Sequence, residues 1–118
     1  MFVETVASSS IIVGPTDTVA VVGSSATFSC QTNLNNVRIC WNFFVNANTT
    51  RKIARGFVVN KEYTNKFTVG FNNETYVSNL TILNVTSADE SQYECEECEQ
   101  LKTEHSARLH VVDGETVC

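Results

Sequence analysis

Apolar and polar residues alternate with a period of two through most of this chain, and turn residues interrupt the alternation about every eight to twelve positions. No helical periodicity, internal repeat or low-complexity tract accompanies it. Such a pattern buries one face of each segment and wets the other, which specifies a sandwich or barrel of short strands. The segment from Ser25 to Thr32 shows it most clearly: Ala26, Phe28 and Cys30 face one way, Thr27 and Ser29 the other. On the same basis strands are expected from Ile11 to Val13, Asp17 to Val22 and Val37 to Val45, the last with Val37, Ile39, Trp41 and Phe43 on one face. Gly14-Pro15, with the chain's single proline, breaks the first edge into two pieces. Turns are expected from Asn46 to Thr50 and at Asn72-Asn73, and a polar loop from Ser87 to Ser91. Short strands follow around Gly56 (Lys52 to Ala54, Phe57 to Val59). The remaining strands are Phe67 to Phe71, Tyr76 to Val85, Tyr93 to Cys98 and Ser106 to Val112. The expectation is about nine strands and no helix. Residues 11–113 form the domain, 1–10 a lead-in and 114–118 a linker.

A chain of 118 residues holds one core and not two. With 42% apolar and 18% charged residues it is globular rather than disordered. Its net charge of −5 argues against nucleic acid, which needs a basic face, and against an electrostatic membrane-surface role. The opening Met1-Phe2-Val3-Glu4 lacks the basic and apolar regions of a signal peptide, and no stretch is long enough to span a bilayer. The expectation is therefore a mature domain, with any leader or membrane anchor lying outside these residues. Five cysteines, Cys30, Cys40, Cys95, Cys98 and Cys118, point to an oxidising, extracellular compartment. Zinc held by Cys95-Glu-Glu-Cys98 is the alternative. It is disfavoured because Cys30 and Cys40 are too far apart to form a second short cluster. No cofactor or metal is called for.

The order Cys30, Trp41, Tyr93, Cys95 is the most specific motif. The segment Asp89-Glu90-Ser91-Gln92-Tyr93-Glu94-Cys95 resembles the D-x-G/A-x-Y-x-C motif of immunoglobulin variable domains, with serine in place of the usual small residue. Leu80 and Ile82 resemble the L-x-I pattern of the strand before that motif, and Lys66-Phe67 the basic-aromatic start of the strand before that. The chain thus resembles a V-set domain of the immunoglobulin superfamily from Ile11 to Asp113. The resemblance implies a two-sheet antiparallel sandwich, a Cys30–Cys95 bridge packed on Trp41, a corner closed by the Tyr93 hydroxyl, and a Lys66–Asp89 ion pair. The 65 positions from Cys30 to Cys95 leave room for the two extra strands of the variable type. His105-Ser106-Ala107-Arg108-Leu109-His110-Val111 keeps only the closing L-x-V and lacks the F-G-x-G bulge of rearranging antigen receptors. The resemblance is therefore to a non-rearranging adhesion or immune-type receptor, with asparagine-rich loops of an invertebrate cast.

With Trp41 and Cys95 inward, alternation turns Cys40 and Cys98 outward on strands that are neighbours in this fold, so a second bridge, Cys40–Cys98, is expected. Cys118 is left over. The same alternation presents Arg38, Asn42 and Phe44 on one strand, Glu94 and Glu96 on the next, and Arg108 and His110 on the last. Phe44, an outward aromatic, reads as an interface anchor. Glu94, Glu96, Glu97, Glu99 and Glu104 form an acidic half, and Arg38, Arg51, Lys52 and Arg55 a basic half. Such a face is self-complementary under a two-fold rotation, so the expected partner is a protein, a second copy of the chain in a homodimer. The sequons at Asn48, Asn73, Asn79 and Asn84 fall on or beside the opposite sheet and on a hairpin tip, where glycans would leave this face free. Two other functions compete: a secreted immune domain that grips a foreign ligand with its loops, and a structural spacer. Members of the family that bind sialic acid carry an arginine where this chain has Glu94 and Glu96. No motif places a nucleophile or carboxylate beside His105 or His110, so an enzyme is not expected.

Overall fold

A computed structural model describes residues 10–33, 38–99 and 105–114. Ten strands build two sheets: β1 (Ile11–Val13), β2 (Thr18–Val21), β3 (Ala26–Thr32), β4 (Ile39–Asn46), β5 (Thr49–Arg55), β6 (Val58–Val59), β7 (Phe67–Asn72), β8 (Val77–Ile82), β9 (Ser91–Glu97) and β10 (His105–Val112). A four-stranded sheet runs β1-β3-β8-β7, and a six-stranded sheet runs β2-β10-β9-β4-β5-β6. Among the described residues every strand pairing is antiparallel except β2 with β10.

The strands number ten against the expected nine or so, and the two pieces of the edge broken at Gly14-Pro15 fall in different sheets. Two single 3-10 turns, Lys61–Tyr63 and Ser87–Asp89, stand where no helix was expected. The second carries a capping box in which Asp89 accepts the Thr86 N–H at 2.8 Å, which turns the expected polar loop into an ordered corner. β8 stops at Ile82 instead of reaching Val85, because Asn84 takes a left-handed φ of 48° that no strand accommodates. The tight hairpin after β4 lets β5 begin at Thr49. Val37, Glu104 and Cys118, which the sequence reading used, lie outside the described residues, as do most of the lead-in and linker.

The core is the space between the sheets. Ala26, Phe28 and Cys30 of β3 meet Leu80 and Ile82 of β8 on one side and Ile39, Trp41, Tyr93, Cys95 and Leu109 on the other. The period-two signal arises directly from this: β3 alternates buried and exposed residues along most of its length. Trp41 is fully buried, and its indole N–H donates to Ser78 Oγ at 2.9 Å, which removes the cost of burying a polar edge.

Candidate interaction face

The two disulfides divide the labour between core and face. Cys30–Cys95 crosses between the sheets, with both residues fully buried beside Trp41. Cys40–Cys98 joins β4 to the end of β9 within the six-stranded sheet. Both pairs of thiols are therefore consumed, and Cys95 and Cys98 cannot serve as thiolate ligands of zinc. Beside the outer bridge the Cys98 N–H donates to the Arg38 carbonyl at 2.9 Å. Glu99 receives Arg55 at 2.8 Å and Arg38 at 3.5 Å. One end of the sheet is thus fastened covalently, by backbone and by charge.

At the opposite end stands the tyrosine corner. The Tyr93 hydroxyl donates to the Asp89 carbonyl at 2.7 Å, and Lys66 Nζ lies 2.7 Å from Asp89 Oδ2 while donating to the Asn84 carbonyl at 2.9 Å. Burial, with the negative charge of Asp89, pushes the Tyr93 phenol well above its ordinary range. Phe43, Tyr63, Phe67 and Tyr93 form a ring of edge and tilted contacts here, with centroids 5.8 to 6.4 Å apart. They line a recess of about 390 Å³ together with Lys66, Asp89 and Ser91. Burial and the neighbouring Glu62 carboxylate raise the Tyr63 pKa, against a smaller opposing pull from Arg51.

Between these ends lies the outward face of the six-stranded sheet, and it departs from the sequence reading in four ways. Asn42, expected on the surface, is only 1% exposed. Its amide donates to Glu94 Oε2 and Glu96 Oε2, both at 2.9 Å, and Lys52 Nζ stands 3.9 Å from Glu96. The longer side chains of the flanking strands fold over the shorter asparagine, which seals it without turning it inward. Glu94 is itself 6% exposed and Glu97 is buried, so much of the acidic half is internal. Asn42 Oδ1 has no hydrogen-bond partner among the described residues.

Arg51 does not belong to this face. The register slips between Trp41 and Asn42, and Arg51 then pairs with Phe43, whose side chain packs inward on Tyr93 and Tyr63. Directly opposed residues share a face, so the irregularity sends Arg51 towards Tyr63 while Lys52 stays with Asn42. Phe44 is half-buried rather than a projecting anchor. Finally, the acidic and basic halves are partly joined to one another. Arg38, Arg55 and Lys52 pair with Glu99 and Glu96 inside the same chain.

Arg38, Arg108 and His110 do remain exposed. The face also carries apolar side chains the sequence reading passed over. Val19 and Val21 of β2 lie beside His110 and Val112 of β10 on the outward side, with Val19 65% exposed. A valine at each odd position of Thr18–Val21 was the available signal; it was read only as an ordinary strand edge. On the other sheet the outward face is a small polar ladder. Thr27 meets Thr81 across the strands at 3.0 Å, and Ser29 donates to Asn79. Asn48, Asn73 and Asn84 are exposed in turns, and Asn79 is half-buried on β8.

The architecture has solved counterparts. The first Ig domain of mouse polymeric immunoglobulin receptor superposes with a TM-score of 0.77 at 18% identity, covering 93% of this chain and all of that one. The RIG-5 Ig1 homodimer structure gives a TM-score of 0.69 at 21% identity, covering 87% of this chain and 96% of that one. The chain has an immunoglobulin fold. β5 and β6, added beyond β4 in the six-stranded sheet, make it the variable-type arrangement that the Cys30–Trp41–Cys95 spacing implied. No family model matches the sequence, and no curated protein matches it either. The likeness therefore rests on shape and on the core residues that generate that shape.

Proposed function

We propose that this immunoglobulin-type domain is an extracellular recognition or adhesion module, not an enzyme, which binds a protein partner through its six-stranded sheet, and that the partner is a second copy of itself. The observation that carries this reading is the sheet's outward surface. Lys52 and the partly exposed Glu96, braced from beneath by the buried Asn42 and Glu94, are held in place, and on the same sheet exposed valines accompany Arg108 and His110. A rigid polar patch beside exposed apolar side chains is what a specific protein contact uses, since little ordering entropy is lost on binding. Two disulfides suit an oxidising exterior. The structural likeness to a domain solved as a homodimer supports the choice of a second copy. Glycans at Asn48, Asn73, Asn79 and Asn84 belong to the same proposal, with the four-stranded sheet as the sugared side. In protein from a secreting host, enzymatic deglycosylation would convert each occupied asparagine to aspartate, a mass change read by peptide mapping.

Sedimentation equilibrium over a wide concentration range tests the association. Hydrogen exchange on the same samples locates it. The expected result is a dimer whose added protection falls on β2, β10, β9 and β4. A strictly monomeric chain, or protection confined to β1, β3, β8 and β7, would defeat the reading.

One observation favours a second mode. The base of the β9–β10 connection is held by Cys40–Cys98 and the two arginines on Glu99, and Phe57 and Val58 are exposed at the neighbouring β5–β6 turn. Recognition of a foreign ligand by this loop end would be lost on Phe57→Ser with dimerisation intact.

A further inference from the structure

The described residues expose nine large apolar side chains, and six of them gather on one margin of the sandwich: Ile12, Val13, Val19, Val21, Val22 and Val112. That margin joins the β1 edge of the four-stranded sheet, which carries Ile12 and Val13, to the β2 edge of the six-stranded sheet, and no described strand lies beyond β2. Natural sheet edges are guarded by charge, proline or a covering segment, because a bare edge pairs with other chains. β2 reads Thr-Val-Ala-Val, with neither charge nor proline.

The hydrogen-bond parity of β2 is known. Val22 donates to the Val112 carbonyl at 3.0 Å, so the even-numbered residues turn their N–H and C=O towards β10. Asp17, Val19 and Val21 then turn theirs off the edge. One of these outward groups is already used: the Val21 carbonyl accepts from Ser24 N–H at 2.9 Å and Ser24 Oγ at 2.6 Å. This selects a register. A two-fold centred on Ala20 would need the Val21 carbonyl a third time. A two-fold centred on Val19 meets that carbonyl only in its outer pairs, where the Asp17 N–H would face it, and keeps its central pair whole. There Val19 of each copy exchanges N–H and C=O with Val19 of the other, and each Val21 N–H meets the opposite Asp17 carbonyl.

We infer that the second copy docks by antiparallel pairing of β2 with β2 about a two-fold axis at Val19, which joins the two six-stranded sheets into one continuous sheet of twelve strands. The inference rests on the proposed partner being the chain itself, and it places the contact at the β2 edge of that six-stranded sheet. Charge favours the edge. The edge register opposes valine to valine, threonine to alanine and Asp17 to Val21, and it leaves the Lys52–Glu96, Arg38–Glu99 and Arg55–Glu99 pairs undisturbed, whereas stacked faces would press on them. Area sets the strength. A contact through a four-residue strand and its flanking valines falls below the roughly 800 Å² per partner of a standard interface, so the dimer is a weak one that forms at high local concentration, as on opposed or crowded surfaces.

The test uses sedimentation equilibrium of the whole chain and three variants. Val19→Pro removes the outward N–H while leaving every bond to β10, a substitution an edge strand tolerates. Val19→Lys places a guarding charge on the same edge and serves if the proline variant folds poorly. Arg108→Glu alters the sheet's face and leaves the edge alone. The expected result is that both Val19 variants raise the dimer dissociation constant at least about tenfold, that Arg108→Glu leaves it within about threefold, and that the Val19 and Val21 amides of the wild-type chain gain exchange protection with concentration. If Arg108→Glu abolishes the dimer and the Val19 variants keep it, the edge docking is overturned and the face-on contact stands. If the wild-type chain stays monomeric throughout, both fall.

Discussion

The neighbourhoods of the two disulfides make an informative pair. Cys30–Cys95 and Cys40–Cys98 span almost equal lengths of chain, 65 and 58 residues, yet one sits in an apolar core and the other beside a polar cluster on the sheet's outward face. Loop-closure entropy does not tell them apart. With either bridge formed, the other closes a much smaller circuit, since Cys30 and Cys40 are ten residues apart and Cys95 and Cys98 three. A circuit of about 13 residues is worth about 3 kcal/mol in the chain-entropy picture, whichever bridge is considered second. Any difference in what the two contribute must therefore come from native packing. Around Cys30–Cys95 that means Trp41, Phe28 and Leu80, all buried; around Cys40–Cys98, although Cys40 itself is buried, it means the exposed Arg38, Arg55 and Glu99.

Removing the bridges one at a time separates these contributions. The double variant Cys30→Ala, Cys95→Ala should lose about 5 kcal/mol in urea unfolding, the excess over 3 being the void left beside Trp41. Cys40→Ala, Cys98→Ala should lose only about 3 kcal/mol, because exposed ion pairs to Glu99 add little and survive the change. Equal losses would mean that the core bridge contributes no packing beyond its cross-link.

A third variant probes the polar side of the comparison. Asn42→Asp places a carboxylate where an amide now donates to both Glu94 and Glu96. Two favourable hydrogen bonds become like-charge contacts in a sealed site, and about 2 kcal/mol should be lost at neutral pH. The direction with pH is fixed. Repulsion raises the carboxyl pKa values of the cluster above those of the unfolded chain, so the variant regains stability as pH falls and protons bind. A loss that stays constant between pH 7 and pH ~4.5 would show that the cluster is not sealed in solution.

The same contrast explains what was legible in the sequence. Where burial follows the strand period, as at Ala26, Phe28, Cys30, Trp41 and Tyr93, one residue's neighbours in sequence are enough to assign its side. The Cys40–Cys98 pairing followed from the same parity. Asn42 was misplaced because its burial is decided by Glu94, Glu96 and Lys52, side chains from two other strands that cover it. Arg51 was misplaced because the register slip after Trp41 exchanges the faces of β5, and nothing in that stretch of sequence marks the slip. The ion pairs that cancel the segregated charge form across strands, where sequence separation hides them. Parity is a local property, whereas cover, slip and cross-strand pairing are properties of the assembled sheet.

The smallest expected effect belongs to the core side. Tyr93→Phe deletes the hydroxyl that donates to the Asp89 carbonyl and keeps the ring packed on Phe28, whose centroid lies 5.3 Å away. The loss at neutral pH should be about 1 kcal/mol, the net worth of one hydrogen bond. Alkali supplies a second readout. The folded-state pKa of Tyr93 lies above the unfolded value of 10.0, so the native chain holds this proton after the unfolded chain has begun to release it. Stability from this group is complete below about pH 10 and is lost as pH rises beyond that value, because the unfolded state gains free energy by ionising first. The phenylalanine variant lacks that term. Its deficit relative to wild type should therefore shrink from pH 9 to pH ~11. A deficit that widened instead would mean that the corner hydroxyl ionises more readily in the folded chain than out of it, with Lys66 rather than burial setting its charge state.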